Sequence, residues 1–139
     1  MAYWLMKSEP GSWSWQQQAA KGAKGEAWSG VRNHRAKLNL MKMKKGDRAF
    51  FYHSGDDKAA VGVVEIIREA YPDPTAKKGE PWVVVDVKAV EAMPKPVTIA
   101  DVKKEPKLKA MVLINNTRLS VQPVTADEWT IVCKMGGIK

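Results

Sequence analysis

Cysteine is almost absent from this chain, with Cys133 the only one. A lone thiol cannot close an intrachain disulfide or build a Cys-based structural zinc site, and it fits a reducing compartment. The two histidines, His34 and His53, are too few for a His-based metal centre, so neither a metal nor another cofactor is expected. Long apolar runs are missing too. Met1 to Met6 stops at Lys7, too short for a signal-peptide core, and no later stretch reaches the ~20 residues that cross a bilayer. A cytoplasmic protein without membrane contact is the expectation. The chain also lacks repeats, low-complexity tracts and an interdomain linker, so its 139 residues read as one domain. A phosphate-binding loop is absent, because Gly22-x-x-Gly25 has neither the lysine nor the strand–loop–helix setting; nucleotide triphosphate hydrolysis is not indicated.

Acidic residues are in deficit. Lys plus Arg number 23 against 15 Asp plus Glu, a formal charge of +8 that points to a polyanionic partner, nucleic acid first. The excess is concentrated early, with ten basic and three acidic residues up to Arg48 and thirteen against twelve beyond it. Between Arg32 and Arg48, the residues Arg32, Arg35, Lys37, Lys42, Lys44, Lys45 and Arg48 face only Asp47. Such a run can be a merely solvated helix face. Here arginine is mixed in, and Trp28 on one side and Phe50, Phe51 and Tyr52 on the other flank the run. Cations for phosphates beside rings for bases suit unpaired nucleic acid.

Local patterns divide the chain into short elements. Tyr3 to Lys7 reads as a strand closed by Pro10-Gly11. Ser14 with Gln17 has capping-box spacing and predicts a helix over about Trp15 to Lys21; Gly22 to Gly30 reads as a loop. Ala36, Leu40 and Met43 predict a helix after Asn33 that stops before Gly46-Asp47. Arg48 to His53 and Ala60 to Glu69 form a hairpin through Ser54-Gly55-Asp56-Asp57, and Tyr71 to Thr75, with two prolines, reads as a loop. Trp82 to Val90 alternates as a strand, Thr98 with Asp101 caps a helix to about Lys104, and Leu119 to Val124 is a further strand. Thr125 with Glu128 caps a helix bearing Trp129, and Lys134 to Lys139 is expected to fray. Strands among helices too short for regular crossovers indicate α+β with a curled sheet or small β-barrel and peripheral helices.

Catalytic groupings are sparse. His53 can serve as a base or hold its hairpin by a hydrogen bond, the commoner role. Asp56-Asp57 is turn chemistry and Asp127-Glu128 is helix-start chemistry, not an acid–base pair. Among six tryptophans, Trp28 sits in a glycine-rich loop and Trp82 opens a strand after Pro81. Either can be a hydrophobic plug, or the two can line a pocket around a flat ring.

More specific strings follow one another along the chain: Tyr3-Trp4-Leu5-Met6-Lys7-Ser8-Glu9-Pro10, Trp28-Ser29-Gly30-Val31-Arg32-Asn33, Gly46-Asp47 with Phe50-Phe51-Tyr52-His53-Ser54, Val61-Gly62-Val63, Ala70-Tyr71-Pro72-Asp73-Pro74-Thr75, Trp82-Val83-Val84-Val85-Asp86-Val87 and Arg118-Leu119-Ser120-Val121-Gln122-Pro123-Val124. In this order they resemble the EVE domain family. The resemblance implies a PUA-like fold, a curled β-barrel with short peripheral helices, in one superfamily with the YTH readers of N6-methyladenosine. It implies a modified-base reader without enzymatic activity, whose partner is DNA or RNA carrying such a base. Carried over residue by residue, it places Lys7 and Ser8 at the end of the first strand, Trp28 at one cage position and Trp82 near a second. Ser8, Ser29 and Asn33 would then face the polar edge of the base, with Lys7, Arg32, Arg35, Lys37 and Arg118 on phosphates. Amidohydrolases of the ASCH group, in the same superfamily, act on acylated cytidine through a lysine and a carboxylate. Lys7 and Glu9, two apart and so on one strand face, offer that alternative.

Overall fold

A computed structural model describes residues 1–138. Along β1 (Tyr3–Ser8) the two-residue period of a strand sends Trp4 and Met6 to one core and Leu5 to another. β3 (Arg48–His53) runs parallel beside it and divides its residues the same way, Ala49 and Phe51 to the first core, Phe50 and Tyr52 to the second. Both faces of the sheet are therefore apolar, and each needs a covering layer. One cover comes from α2 (His34–Lys42), which buries Ala36 and Leu40, followed by Met43. The other cover is built from α3 (Ile99–Lys104), α4 (Val112–Asn115) and the C-terminal helix α5 (Ala126–Met135), through Val102, Leu113 and Val132.

The remaining strands are β2 (Glu26–Ala27), β4 (Ala59–Pro72), β5 (Val83–Thr98) and β6 (Val121–Val124), giving the order β2-β5-β4-β3-β1-β6. The class is α+β, as expected. Register shifts between β3 and β4 and along β4–β5 bend the long central hairpin. The expected closed barrel is not made by this ladder: among the described residues β2 and β6 end the sheet and do not pair with each other.

Among the described residues, side-chain caps set four of the five α-helix starts, α4 beginning without one. Ser14, before α1 (Trp15–Ala20), and likewise Thr98 and Thr125 all close capping boxes, while Asn33 caps α2 by accepting the Ala36 amide at 2.9 Å. Four boundaries differ from the sequence reading. β4 continues through Tyr71 and Pro72, because Pro72 pairs only at the strand's last position, where a missing donor costs little. β5 runs on to Thr98; Pro94 and Pro96 fall in the gap between the Ala92–Gly62 and Val97–Ala60 pairs, where the ladder is already interrupted. The Gly22–Gly30 loop holds a 3-10 turn and β2. Finally, α5 keeps Lys134 and Met135 helical, since Met135 and Ile138 pack on the second core; Lys139 lies outside the described residues. Gly62 is required where it stands: a Cβ there would lie 2.5 Å from the Trp15 ring that packs on the sheet.

Candidate nucleic-acid interface

The end of β1, the turn after it and the Glu26–Gly30 segment enclose a cavity of about 440 Å³. Lys7, Ser8, Trp13, Glu26, Trp28 and Ser29 stand on its walls. The turn is tight because the Glu9 carbonyl accepts the amides of Ser12 and Trp13, both at 2.9 Å. That reversal brings Trp13 back over Ser8, whose hydroxyl donates to the Trp13 carbonyl at 2.5 Å. Ser8 Oγ has thus used its proton and offers only lone pairs to a ligand. The Trp13 indole donates to Gln18 Oε1 at 2.9 Å, and the buried Gln18 amide donates in turn to the Val87 carbonyl at 3.1 Å. Trp13 is thereby fixed to the sheet.

Trp28 is only 7% exposed and meets Phe51 edge-on at 5.3 Å, so it belongs to the first core as well as to the cavity wall. Its amide donates to the Val85 carbonyl at 2.8 Å, extending the β2–β5 pairing by one residue. Beyond it the chain turns at Gly30, whose φ of +84° suits glycine. The Gly30 amide donates to Asp73 Oδ2 at 3.0 Å.

Asp73 organises the rim. Its buried carboxylate also accepts from the Thr75 amide and hydroxyl, at 2.7 and 2.6 Å, and from Arg32 at 3.0 Å. Burial pushes this carboxyl upward, but the hydrogen bonds from Thr75, Gly30 and Arg32 outweigh it and hold it at about 2. Arg32, expected to meet phosphate, is therefore committed to Asp73 and to Thr75 Oγ1 at 3.1 Å. Trp82 lies beside this ion pair and not face to face with Trp28: it packs on His34 at 4.9 Å and under Arg32 at 5.8 Å, with its indole nitrogen buried and unpartnered. Trp13 is the second indole the structure brings to the cavity with Trp28. Asn33 uses its side-chain oxygen as the α2 cap, which leaves the amide nitrogen as its open group.

The remaining cations are placed differently. Lys7 Nζ donates to the Thr117 carbonyl and sits 5.6 Å over the Tyr52 ring; burial lowers its pKa. Arg118 is exposed and follows Thr117, the residue whose carbonyl meets Lys7. Arg35 is exposed on α2 and Lys37 is half-buried there, away from the cavity walls just described.

A family model described as the EVE domain matches residues 2–135. The chain belongs to the EVE domain family. Human thymocyte nuclear protein 1 is 34% identical over an alignment that spans 96% of this chain and 73% of that protein. Among solved structures, Rpa0253 from Rhodopseudomonas palustris superposes with a TM-score of 0.92 at 63% identity, covering 99% of this chain and 94% of that one. Human THYN1 in complex with 5-methylcytosine-containing DNA superposes at 0.90 with 33% identity, over 100% of this chain and 99% of its own. A YTH domain from Zygosaccharomyces rouxii, solved with N6-methyladenosine RNA, reaches 0.59 at 16% identity over 97% and 86% of the two chains, a likeness of fold alone.

His53 has a structural role in this EVE domain. His53 Nε2 accepts the Trp15 amide at 3.0 Å, so Nδ1 carries the proton and donates to Asp57 at 3.0 Å. Both ring nitrogens are spent holding α1 to the hairpin, which leaves none for base catalysis. Lys7 and Glu9 form no ion pair among the described residues. The Lys7 ammonium turns to Thr117, whereas the Glu9 carboxylate lies by Gly55, with Oε2 2.6 Å from where a Cβ would stand. Both residues line the cavity, but among the described residues no ion pair joins the lysine to the carboxylate. Among the described residues no cluster of His, Cys, Asp and Glu is arranged to hold a metal ion.

Sequence reasoning missed Trp13 and Glu26 as wall residues. A signal for Trp13 was present in Pro10-Gly11, since a reversal there must return the chain toward Ser8. Glu26 had none, because its place depends on pairing with Val87, distant in sequence.

Proposed function

We propose that this EVE domain is a non-enzymatic module that binds nucleic acid and reads one modified base, flipped or unpaired, in the cavity between Trp13 and Trp28. The observation that carries the reading is the whole-chain match to human THYN1, solved with DNA containing 5-methylcytosine. The formal charge of +8 and the two-indole cavity support it independently. Trp28 and Trp13 stack on the ring, and Ser8, Ser29 and Asn33 meet its polar edge. Lys7 and Arg118, with Arg35 and Lys37 farther out, meet phosphates. Arg32 works indirectly, by holding the Gly30 turn through Asp73, and Trp82 supports that rim. A buried polar group left unmatched costs about 1–3 kcal/mol. One methyl on an aromatic wall adds about 0.8 kcal/mol, roughly fourfold in affinity.

The test is fluorescence anisotropy with single-stranded and duplex oligonucleotides that differ only in cytosine, 5-methylcytosine or 5-hydroxymethylcytosine, across a salt series. A modified base is expected to bind at least fourfold tighter, with log affinity falling linearly against log salt. Equal affinity for all bases, or a flat salt response, refutes the reading. Release of acid from acylated cytidine by the protein would overturn its non-enzymatic part.

A further inference from the structure

A second concavity, about 400 Å³, lies between α2 and the Met111–Leu119 segment. Its apolar floor includes Leu38, Val112 and Leu119, and its polar margin includes Arg35, Lys42 and Asn115. Leu38 and the nearby Met41 are 51% and 53% exposed, unusual for large apolar side chains on a helix this basic. Neither wall contains a carboxylate: no Asp or Glu occurs from Arg32 to Gly46, nor from Pro106 to Pro123. Arg118, exposed in the Met111–Leu119 segment, adds a positive charge to the second wall's stretch of chain.

The groove is built rigidly. Asn39 Nδ2 donates to the Val121 carbonyl at 2.7 Å and ties α2 to β6, while buried Gln122 donates to the carbonyls of Asn116 and Leu119, at 3.2 and 2.7 Å, and holds the far wall. Asn115 spends its amide nitrogen on the carbonyls of Lys109 and Met111, at 3.0 and 3.1 Å, which leaves its oxygen an open acceptor. The same wall borders the base cavity: the Thr117 carbonyl, next to Asn116, accepts the Lys7 ammonium.

We propose that this groove is a second nucleotide subsite, which takes the base and phosphate adjoining the one read between Trp13 and Trp28. It rests on the reading above and extends it to a second base. An apolar floor with an open amide acceptor suits a base, and cations without a competing carboxylate suit its phosphate. The Lys7–Thr117 contact joins the two walls, so one strand crossing it would reach both subsites. An acidic peptide would meet the same charge but carries a flat ring only at aromatic positions, whereas every nucleotide joins a ring to an anion, so the favoured occupant is nucleic acid.

The experiment compares 5-methyl-deoxycytidine monophosphate with a single-stranded heptamer carrying one central 5-methylcytosine, on the wild-type protein and on Leu38→Glu/Lys42→Glu. Titration calorimetry reads both probes, and a thermal melt verifies folding. Lys42→Gln alone, which only removes charge, guards against a misfolded double variant. The wild type is expected to bind the heptamer at least tenfold tighter than the mononucleotide. The double variant should lose most of that advantage and keep mononucleotide affinity, and Lys42→Gln should lose part of it. Undiminished heptamer binding by the folded variants overturns the subsite and leaves the base reading intact. So does an equal loss on both probes, or self-association of the wild type that the double variant abolishes while heptamer binding persists. Failure of the wild type to bind either probe overturns both.

Discussion

Replacing Trp28 by alanine perturbs core and cavity together, and the structure supplies a magnitude for each. At 7% exposure, edge-on to Phe51, the indole is packed on one side by the sheet and open on the other only to the cavity. Truncating a buried tryptophan to alanine costs about 3–5 kcal/mol. A domain this size has about 5–15 kcal/mol in all, so the variant should remain folded at low temperature but melt roughly 10–20 °C below wild type. Losing one base–indole stack costs a further 1–3 kcal/mol of binding, a factor of roughly 5 to 150. The two effects are separated by scanning calorimetry for the melt and by anisotropy with a 5-methylcytosine oligonucleotide, at a temperature where the variant is fully native. Trp13→Ala gives the contrast. Its ring is half-buried, so affinity should fall by a similar factor with a smaller loss of melting temperature. A Trp28→Ala protein that melts with wild type refutes the core contact. A native one that binds as before removes Trp28 from the reading of the base.

Asp73 should impose an acid limit on the rim. Its folded pKa of about 2 lies below the ordinary value of 3.8, so its stabilisation is present above about pH 4 and is lost as pH falls toward 2. The difference corresponds to about 2 kcal/mol. Urea midpoints between pH 2 and 6 should show this loss in wild type and not in Asp73→Asn; identical profiles would refute it. Lys7 should make binding alkali-sensitive. Burial lowers its pKa, so on the proposed phosphate role its ammonium is lost at a lower pH than for a free lysine, and affinity should decline there. Lys7→Met should bind about ten- to a hundredfold more weakly at neutral pH and lose that pH dependence, in keeping with about 1.5–3 kcal/mol for a charged hydrogen bond. A parallel decline in both proteins would dismiss Lys7.

Features set by neighbours in the chain were legible without coordinates. Ser14, Asn33, Thr98 and Thr125 cap helices where their spacing to the following residues says they should, because a cap involves only the next turn. Alternation marked β1 and β3, and the carboxylate-free run of arginines and lysines along α2 is a concentration of positive charge that the sequence alone displays. The ordered motifs identified the EVE domain. What those neighbours could not decide is which side chains converge and which are already engaged. Arg32 looks like any free cation in the sequence, yet Asp73, 41 residues away, claims it. Trp82 looks like the partner of Trp28, yet the β4–β5 pairing carries it to the head of α2, and the turn after β1 brings Trp13 to the cavity instead. Each outcome depends on strand register and on a donor meeting one acceptor across the fold, and a hydrogen bond or ion pair between distant residues leaves no periodicity for the sequence to display.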